Sequence, residues 1–386
     1  MTVITENIIN KITNLIVILN RRGELTYISP SVKKILGYEP NSLLGKQGWK
    51  YTSHKQSEIR ELVAVTRKMA IGIRPLVHEP FEQEVISTEG HKVWLLWNVS
   101  SGTDDTLVAV GYDITKIKYA EKKLELKNKF LLYRNSQMID SIEYASIIQK
   151  AILPDKDEIG KHFSDLFLFY QPKDIVSGDF YWYHNTGQYI FLAAADCTGH
   201  GVPAALISVL GCSLLREIIV KNKIYDPSEI LYKLDGEIIN AFVQKGMEPE
   251  THDGMDISLL RLDLKNKAGV YSGAFRPLIH IRGDELTDYD AQHFPIGFYF
   301  GIKKEFRNRE LYLEKGDLLY MFSDGYTDQF GGENVKKFNR KRFRNLLFSI
   351  SKMHLQRQEK ELAEHFDQWK GKREQVDDVM VIGIKI

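Results

Sequence analysis

The chain has 386 residues, 43% hydrophobic and 27% charged, enough apolar material for two or three packed domains and too much for a disordered polymer. Lys plus Arg total 52 against 51 Asp plus Glu, and this near-balance argues against a protein devoted to nucleic acid. Two cysteines, Cys197 and Cys212, cannot build a disulfide framework and point to a reducing compartment. No secretory signal surrounds the first apolar stretch, Leu15–Leu19. The longest mainly apolar run, 202–215, is too short to cross a bilayer and reads as a core helix. A cytoplasmic protein without membrane insertion is expected.

Residues 1–115 read as a small mixed domain. Leu15–Leu19 is a strand. The polar turn Asn20-Arg21-Arg22-Gly23 leads to a second strand over 24–28, a hairpin signal with Gly in the turn. Ser29-Pro30 opens a short helical stretch that ends near Gly37-Tyr38. Three further strands are expected over 81–87, 92–99 and 106–113, giving a five-stranded antiparallel sheet with helices on one face. This order resembles a PAS sensor domain. The resemblance rests on Asn14-Leu15-Ile16-Val17-Ile18, Ile28-Ser29-Pro30-Ser31, Leu36-Gly37-Tyr38 and Gly111-Tyr112-Asp113-Ile114-Thr115. It implies a sensor but names no ligand. No cysteine precedes Cys197, which excludes a photosensor that forms a cysteinyl–flavin adduct. His54, His78 and His91 receive no haem-ligand assignment, because a lone histidine is usually a surface residue.

Residues 116–153 contain no glycine or proline. Ile117, Leu124, Leu131, Met138, Ala145 and Ile152 recur every seven residues, while Glu121, Asn128, Asn135, Ile142 and Gln149 form a mostly polar second seam. The spacing predicts a helical linker that pairs with a second copy as a weak parallel coiled coil, making the protein a homodimer. No histidine lies between His91 and His162, which speaks against a sensor histidine kinase.

In residues 154–386, strands are expected over 180–184, 189–195, 257–264, 269–272, 277–282, 311–313, 318–322 and 379–386. Helices are expected over 202–220, 227–243, 341–352 and 356–370. Runs of strands with segregated helices suggest antiparallel sheets with helices outside. Asp179, Asp196, Asp324 and the pair Asp377-Asp378 sit where apolar strands begin or end, beside glycines or turns. If these ends converge, the carboxylates cannot all ionise without counter-cations. A cluster of hard oxygen donors favours Mg²⁺ or Mn²⁺ over zinc.

This third region resembles the PPM-type metal-dependent protein phosphatases, in the branch of the sporulation stage II protein E phosphatase. The carrying motifs are Ser177-Gly178-Asp179-Phe180, Ala195-Asp196-Cys197-Thr198-Gly199-His200-Gly201, Asp253-Gly254-Met255-Asp256, Phe322-Ser323-Asp324-Gly325 and Val376-Asp377-Asp378-Val379. The resemblance implies an α/β (α+β) fold, with a C-terminal α-β-β-α sandwich and a two-metal site that takes Mn²⁺ or Mg²⁺. Asp196 is expected to bridge the ions, the carbonyl of Cys197 to bind one of them, Asp324 and Asp377 to complete the ligation, and Asp179 to serve the other ion. Asp378 is expected as an outer partner, and Asp253 and Asp256 as an additional metal site. The implied reaction is hydrolysis of phosphoserine or phosphothreonine on a partner such as an anti-sigma-factor antagonist. The alternative is a catalytically silent scaffold. His200, four residues after Asp196 where a proton-donating histidine of the family follows by two, is expected either to donate a proton or to shape its glycine-flanked turn. The basic run Lys336, Lys337, Arg340, Lys341, Arg342 and Arg344 reads as the wet side of an amphipathic helix.

Overall fold

The computed structural model describes residues 11–46, 48–51, 56–73, 79–243, 254–299 and 303–386. It divides into two compact units, Met1–Asn135 and Ser136–Ile386.

In the first unit, β1 (Leu15–Leu19), β2 (Leu25–Ile28), β3 (Phe81–Ile86), β4 (Lys92–Ser101) and β5 (Leu107–Asp113) form one antiparallel sheet in the order β2-β1-β5-β4-β3. This is a PAS-like sheet. Period-two burial fixes which face is inward: Leu15, Val17 and Leu19 of β1 are buried, as are Val93, Leu95 and Trp97 of β4. The helix α1 (Ser31–Leu36) stops at Gly37, whose φ of 82° suits a residue without Cβ. A second helix, α2 (Gln56–Ala70), lies beyond the one helical stretch that the sequence places in this unit. His54 and His78 lie outside the described residues, and His91 is an exposed residue beside Glu89.

The helix α3 (Thr115–Ile152) runs from the first unit into the second. Its heptad residues Ile117, Leu124, Leu131 and Met138 are 52–64% exposed. The buried residues near its end are polar, Ser146 and Gln149.

In the second unit, α4 (Lys156–Gly160) precedes β6 (Asp165–Gln171), a strand that sequence reading did not assign. Then come β7 (Phe180–Asn185), β8 (Ile190–Cys197), α5 (Val202–Arg216), α6 (Pro227–Val243), β9 (Gly254–Asp263), β10 (Ala268–Ala274), β11 (Leu278–Arg282) and β12 (Glu285–Tyr289). The chain continues through β13 (Ile296–Gly297), β14 (Arg309–Tyr312), β15 (Leu318–Phe322), α7 (Gly325–Asp328), β16 (Phe330–Gly331) and β17 (Lys336–Lys337). It closes with α8 (Arg340–Ile350), α9 (Leu355–Lys370) and β18 (Val379–Lys385). One sheet runs β14-β10-β9-β8-β7 with β13 on β9; the other runs β12-β11-β15-β18-β6.

The two sheets and their helices form four layers, which explains why the strands read as continuous apolar runs. On β8, Phe191, Ala193 and Ala195 pack toward α5 and α6, while Ile190, Leu192 and Ala194 pack between the sheets. On β15, Tyr320 and Phe322 pack toward α8 and α9, while Leu319 and Met321 face the other sheet. Each of the large apolar side chains among these contributes about 1.5–3 kcal/mol by leaving water. A π-helical turn, Glu217–Lys221, extends α5, so Val202–Lys221 is 20 residues long and apolar enough by composition to cross a membrane. This is longer than the run read from sequence. Half of it is buried, and Ile207, Cys212, Leu215 and Ile219 pack in the core. The basic helix α8 buries Phe343, Leu346 and Leu347, and its Arg340 and Arg344 pair with Asp288.

Candidate active site

The acidic residues gather because the strands that carry them end on the same side of the sandwich. Asp196 is the penultimate residue of β8, and β9 pairs antiparallel with it so that Asp196 lies directly opposite Asp256. Sequence reading began this strand at residue 257. Pairing extends it back to Gly254, which moves Asp256 from a loop onto the sheet. Like charges directly opposite on neighbouring strands repel, so this pair needs a counter-charge. Asp324 follows β15 and opens α7. Asp179 precedes β7, and Asp377 and Asp378 precede β18.

The counter-charge on the chain itself is Arg276, in the turn between β10 and β11, a residue that sequence reading missed. Its Nη2 lies 3.1 Å from Asp196, 2.7 Å from Asp256 and 2.7 Å from Asp324. Its Nε is buried without a partner. Burial works to lower the pKa of Arg276, but the three carboxylates outweigh it and raise the value. Nothing in Phe275-Arg276-Pro277 marks an arginine whose partners lie 20, 48 and 80 residues away.

One guanidinium does not neutralise the cluster. Burial, reinforced by Asp324, Asp256 and Asp377 and opposed by Arg276, pushes Asp196 up to about 8. Burial pushes Asp256 up to about 6. Asp179 is raised well above the usual carboxylate range by burial and then by Asp196, and its Oδ2 is buried with no hydrogen-bond partner. Asp377 is raised mainly by burial. An orphaned buried carboxylate oxygen beside several destabilised carboxylates fits a requirement for divalent cations held by hard oxygen donors. Among the described residues, no three acidic, cysteine or histidine side chains already stand at cation-cage spacing. Asp196, Asp256 and Asp324 converge on Arg276 instead.

The remaining expected residues are placed as follows. Cys197 ends β8, buried, with burial pushing its thiol well up, which makes it a poor nucleophile. A Cβ on Gly178 would stand 3.3 Å from the Cys197 carbonyl and 2.9 Å from Ala204, so only glycine lets the 177–179 turn approach this closely. Asp378 holds that loop: its Oδ1 accepts from the Lys173 N–H and its Oδ2 from the Gly178 N–H, each at 2.7 Å. Asp253 lies outside the described residues. His200 is exposed and pairs with Asp174 at 2.9 Å, away from the Arg276 contacts.

Gln149, a polar seam position within the stretch 141–154 that resembles the lead-in to such phosphatases, makes contacts that the sequence does not reveal. Its amide donates to the Ser177 carbonyl at 2.6 Å and to Ser208 Oγ at 2.8 Å, and accepts from the Ser177 N–H at 3.1 Å. The end of α3 is thereby fastened to the backbone two residues before Asp179.

Residues 186–386 match the family profile described as stage II sporulation protein E (SpoIIE). The phosphoserine phosphatase RsbU of Bacillus subtilis (strain 168) is 27% identical over 193 residues, 48% of this chain and 53% of that protein. The chain thus spans about half the length of that curated relative. The solved SiaA-PP2C domain of Pseudomonas aeruginosa shares 28% identity, covers 66% of this chain and 98% of its own, and superimposes with a TM-score of 0.59, so the sandwich has a PP2C-like fold. With the profile spanning more than half of its residues, the chain belongs to the SpoIIE family.

Proposed function

We propose that the chain is a divalent-metal-dependent protein phosphatase that hydrolyses phosphoserine or phosphothreonine on a partner protein. The observation that carries this reading is the convergence of Asp196, Asp256 and Asp324, from three separate segments, on one point of positive charge. In this reading Asp196, Asp179, Asp324, Asp377 and the Cys197 carbonyl would hold two divalent ions. Asp256, with Asp253, is available to an additional ion. Two such ions supply Lewis acidity and lower the pKa of the attacking water. The carboxylates then act as holders rather than as acid and base. Arg276 has an unsatisfied Nε–H, and its guanidinium suits phosphoryl oxygens. Asp378 keeps the Lys173–Gly178 loop in place. The ester bond breaks between phosphorus and the serine oxygen, releasing the hydroxyl side chain and inorganic phosphate.

The similarity to RsbU supports a phosphoserine protein as substrate, and an anti-sigma-factor antagonist is the partner class we favour. We assign residues 1–115 to sensing, 116–153 to a linker and 154–386 to catalysis, within a cytoplasmic homodimer. The exposed heptad residues of α3 support pairing with a second copy. The Gln149 contacts supply a route from that helix to the Asp179 loop, so a change in helix packing would alter ligand placement.

A second reading, a silent scaffold, is favoured by Arg276 itself, since a built-in cation partly substitutes for metal. The assay is phosphate release from a phosphoserine protein with Mn²⁺. The proposal predicts turnover that chelator abolishes and Asp324→Asn reduces by at least about a hundredfold. Turnover that survives chelator, or no turnover with any divalent ion, contradicts it.

A further inference from the structure

Three apolar side chains reach water close to the acidic cluster, each from a different segment. Ile175 is 42% exposed, in the loop that Asp378 holds through the Lys173 and Gly178 N–H groups. Val376 is 39% exposed and immediately precedes Asp377. Phe275 is 40% exposed and immediately precedes Arg276, whose Nη2 lies 2.7 Å from Asp324. Taken singly, exposed apolar residues are ordinary on a protein surface. Phe275 differs, because its backbone is strained where it stands.

Its φ is 55°, in the left-handed region that a bulky L-residue rarely enters. It is the one aromatic residue among the described non-glycine residues with positive φ. Hydrogen bonds fix the turn from several sides. The Phe275 N–H donates to the Gln292 carbonyl at 2.8 Å, and the Gln292 N–H donates to the Gly273 carbonyl at 2.9 Å. The Arg276 N–H donates to the Ala274 carbonyl at 2.6 Å. The hydroxyl of Tyr271, a fully buried residue, donates to the Arg276 carbonyl at 2.5 Å. A Cβ at position 273 would run into that hydroxyl, so glycine there admits the bond. Turn chemistry favours Gly or Asn where φ is positive. Phenylalanine at 275 therefore costs twice, in strain and in apolar surface left in water. A strained residue that its surroundings over-determine points to a function.

A protein–protein contact of standard size covers about 800 Å² on each partner, a disc of roughly 16 Å radius. Consecutive Cα atoms are about 3.8 Å apart, so a protein substrate centred on the acidic cluster covers Phe275. We infer that Phe275 is a specificity-determining residue: it packs against an apolar side chain next to the phosphoserine of the protein substrate, and Ile175 and Val376 complete an apolar collar. The inference rests on the phosphatase reading for where the phosphoserine sits.

Fluorescence anisotropy on the full chain with Mn²⁺ tests it, with two labelled peptides of equal length and charge. Both carry a non-hydrolysable phosphonate analogue of phosphoserine, flanked on each side by leucine in one peptide and by glycine in the other. Wild type is expected to bind the leucine peptide at least about tenfold more tightly, the effect of burying part of a leucine side chain. In Phe275→Asn the preference falls to about threefold or less, while the glycine peptide binds as before. Asparagine suits the left-handed backbone, so this variant melts at or above the wild-type temperature, whereas a merely structural phenylalanine predicts a lower one. Equal binding of the two peptides by wild type, binding of neither, or a leucine preference that survives Phe275→Asn overturns the inference. So does a Phe275→Asn variant that melts below wild type. A wild-type chain that keeps the leucine preference but releases no nitrophenol from p-nitrophenyl phosphate upholds this contact and sinks the phosphatase reading alone.

Discussion

Arg276→Met removes a cation that three carboxylates share. Its Nη2 is within 3.1 Å of Asp196, Asp256 and Asp324, and its side chain is only 13% exposed. Removing one partner of a buried ionic cluster costs about 3–5 kcal/mol, because the surviving charges are left uncompensated. For a unit of this size each kcal/mol moves the melting temperature by about 2–4 °C, so in chelator the variant should melt about 6–20 °C below wild type. Divalent ions offer the same carboxylates a stronger counter-charge. Saturating Mn²⁺ should therefore close most of the gap, and it should stabilise the variant more than the wild type by mass action. Thermal unfolding followed by circular dichroism, with and without Mn²⁺, reads both effects. A variant as stable as wild type in chelator, or a deficit that Mn²⁺ leaves unchanged, refutes the reasoning.

Three further outcomes follow from the same geometry. Gln149→Ala leaves the Ser177 N–H and carbonyl without their partner at a fully buried residue. It should cost about 2–5 kcal/mol and weaken Mn²⁺ binding, and unchanged melting and metal titration would contradict the role of this contact. Gly325→Ala places a Cβ against the backbone carbonyl of Asp378. Because it displaces the segments carrying Asp324 and Asp378 together, phosphatase turnover should fall at least about tenfold, and a fully active variant would show that the contact relaxes freely. In chelator, stability should fall as pH rises from 5.5 to 8. Asp196 and Asp256 have folded values near 8 and 6, above the unfolded value of about 3.9, so in this window the folded chain holds protons that the unfolded chain has lost. Denaturant titrations showing a flat or rising profile would contradict these raised values.

The sequence showed the scaffold more clearly than the chemistry. Apolar runs such as 190–195 and 318–322 announce strands covered on both faces, and an aspartate at the end of each marks a sheet edge. The five PAS-like strands were legible as segments, but not their order, since the central β1–β5 pairing joins residues more than 85 positions apart. Strand β6, an aromatic-rich run bounded by Ser164 and Pro172-Lys173-Asp174, carries ordinary strand signals that sequence analysis left unassigned. Asp256 read as a turn residue because the start of β9 is set by pairing with β8 and β13 rather than by local propensity. The contacts of Arg276 and Gln149 were invisible for a physical reason. Each is a polar residue buried by tertiary contacts, and a single sequence carries only the prior that such residues face water.

The central claim is that the acidic cluster holds two divalent cations. Calorimetric titration of Mn²⁺ into the full chain tests it most directly. The account predicts two ions bound per chain in the wild type and loss of that binding in Asp196→Asn. A chain that takes up no Mn²⁺, or an Asp196→Asn variant that binds it unchanged, contradicts the account.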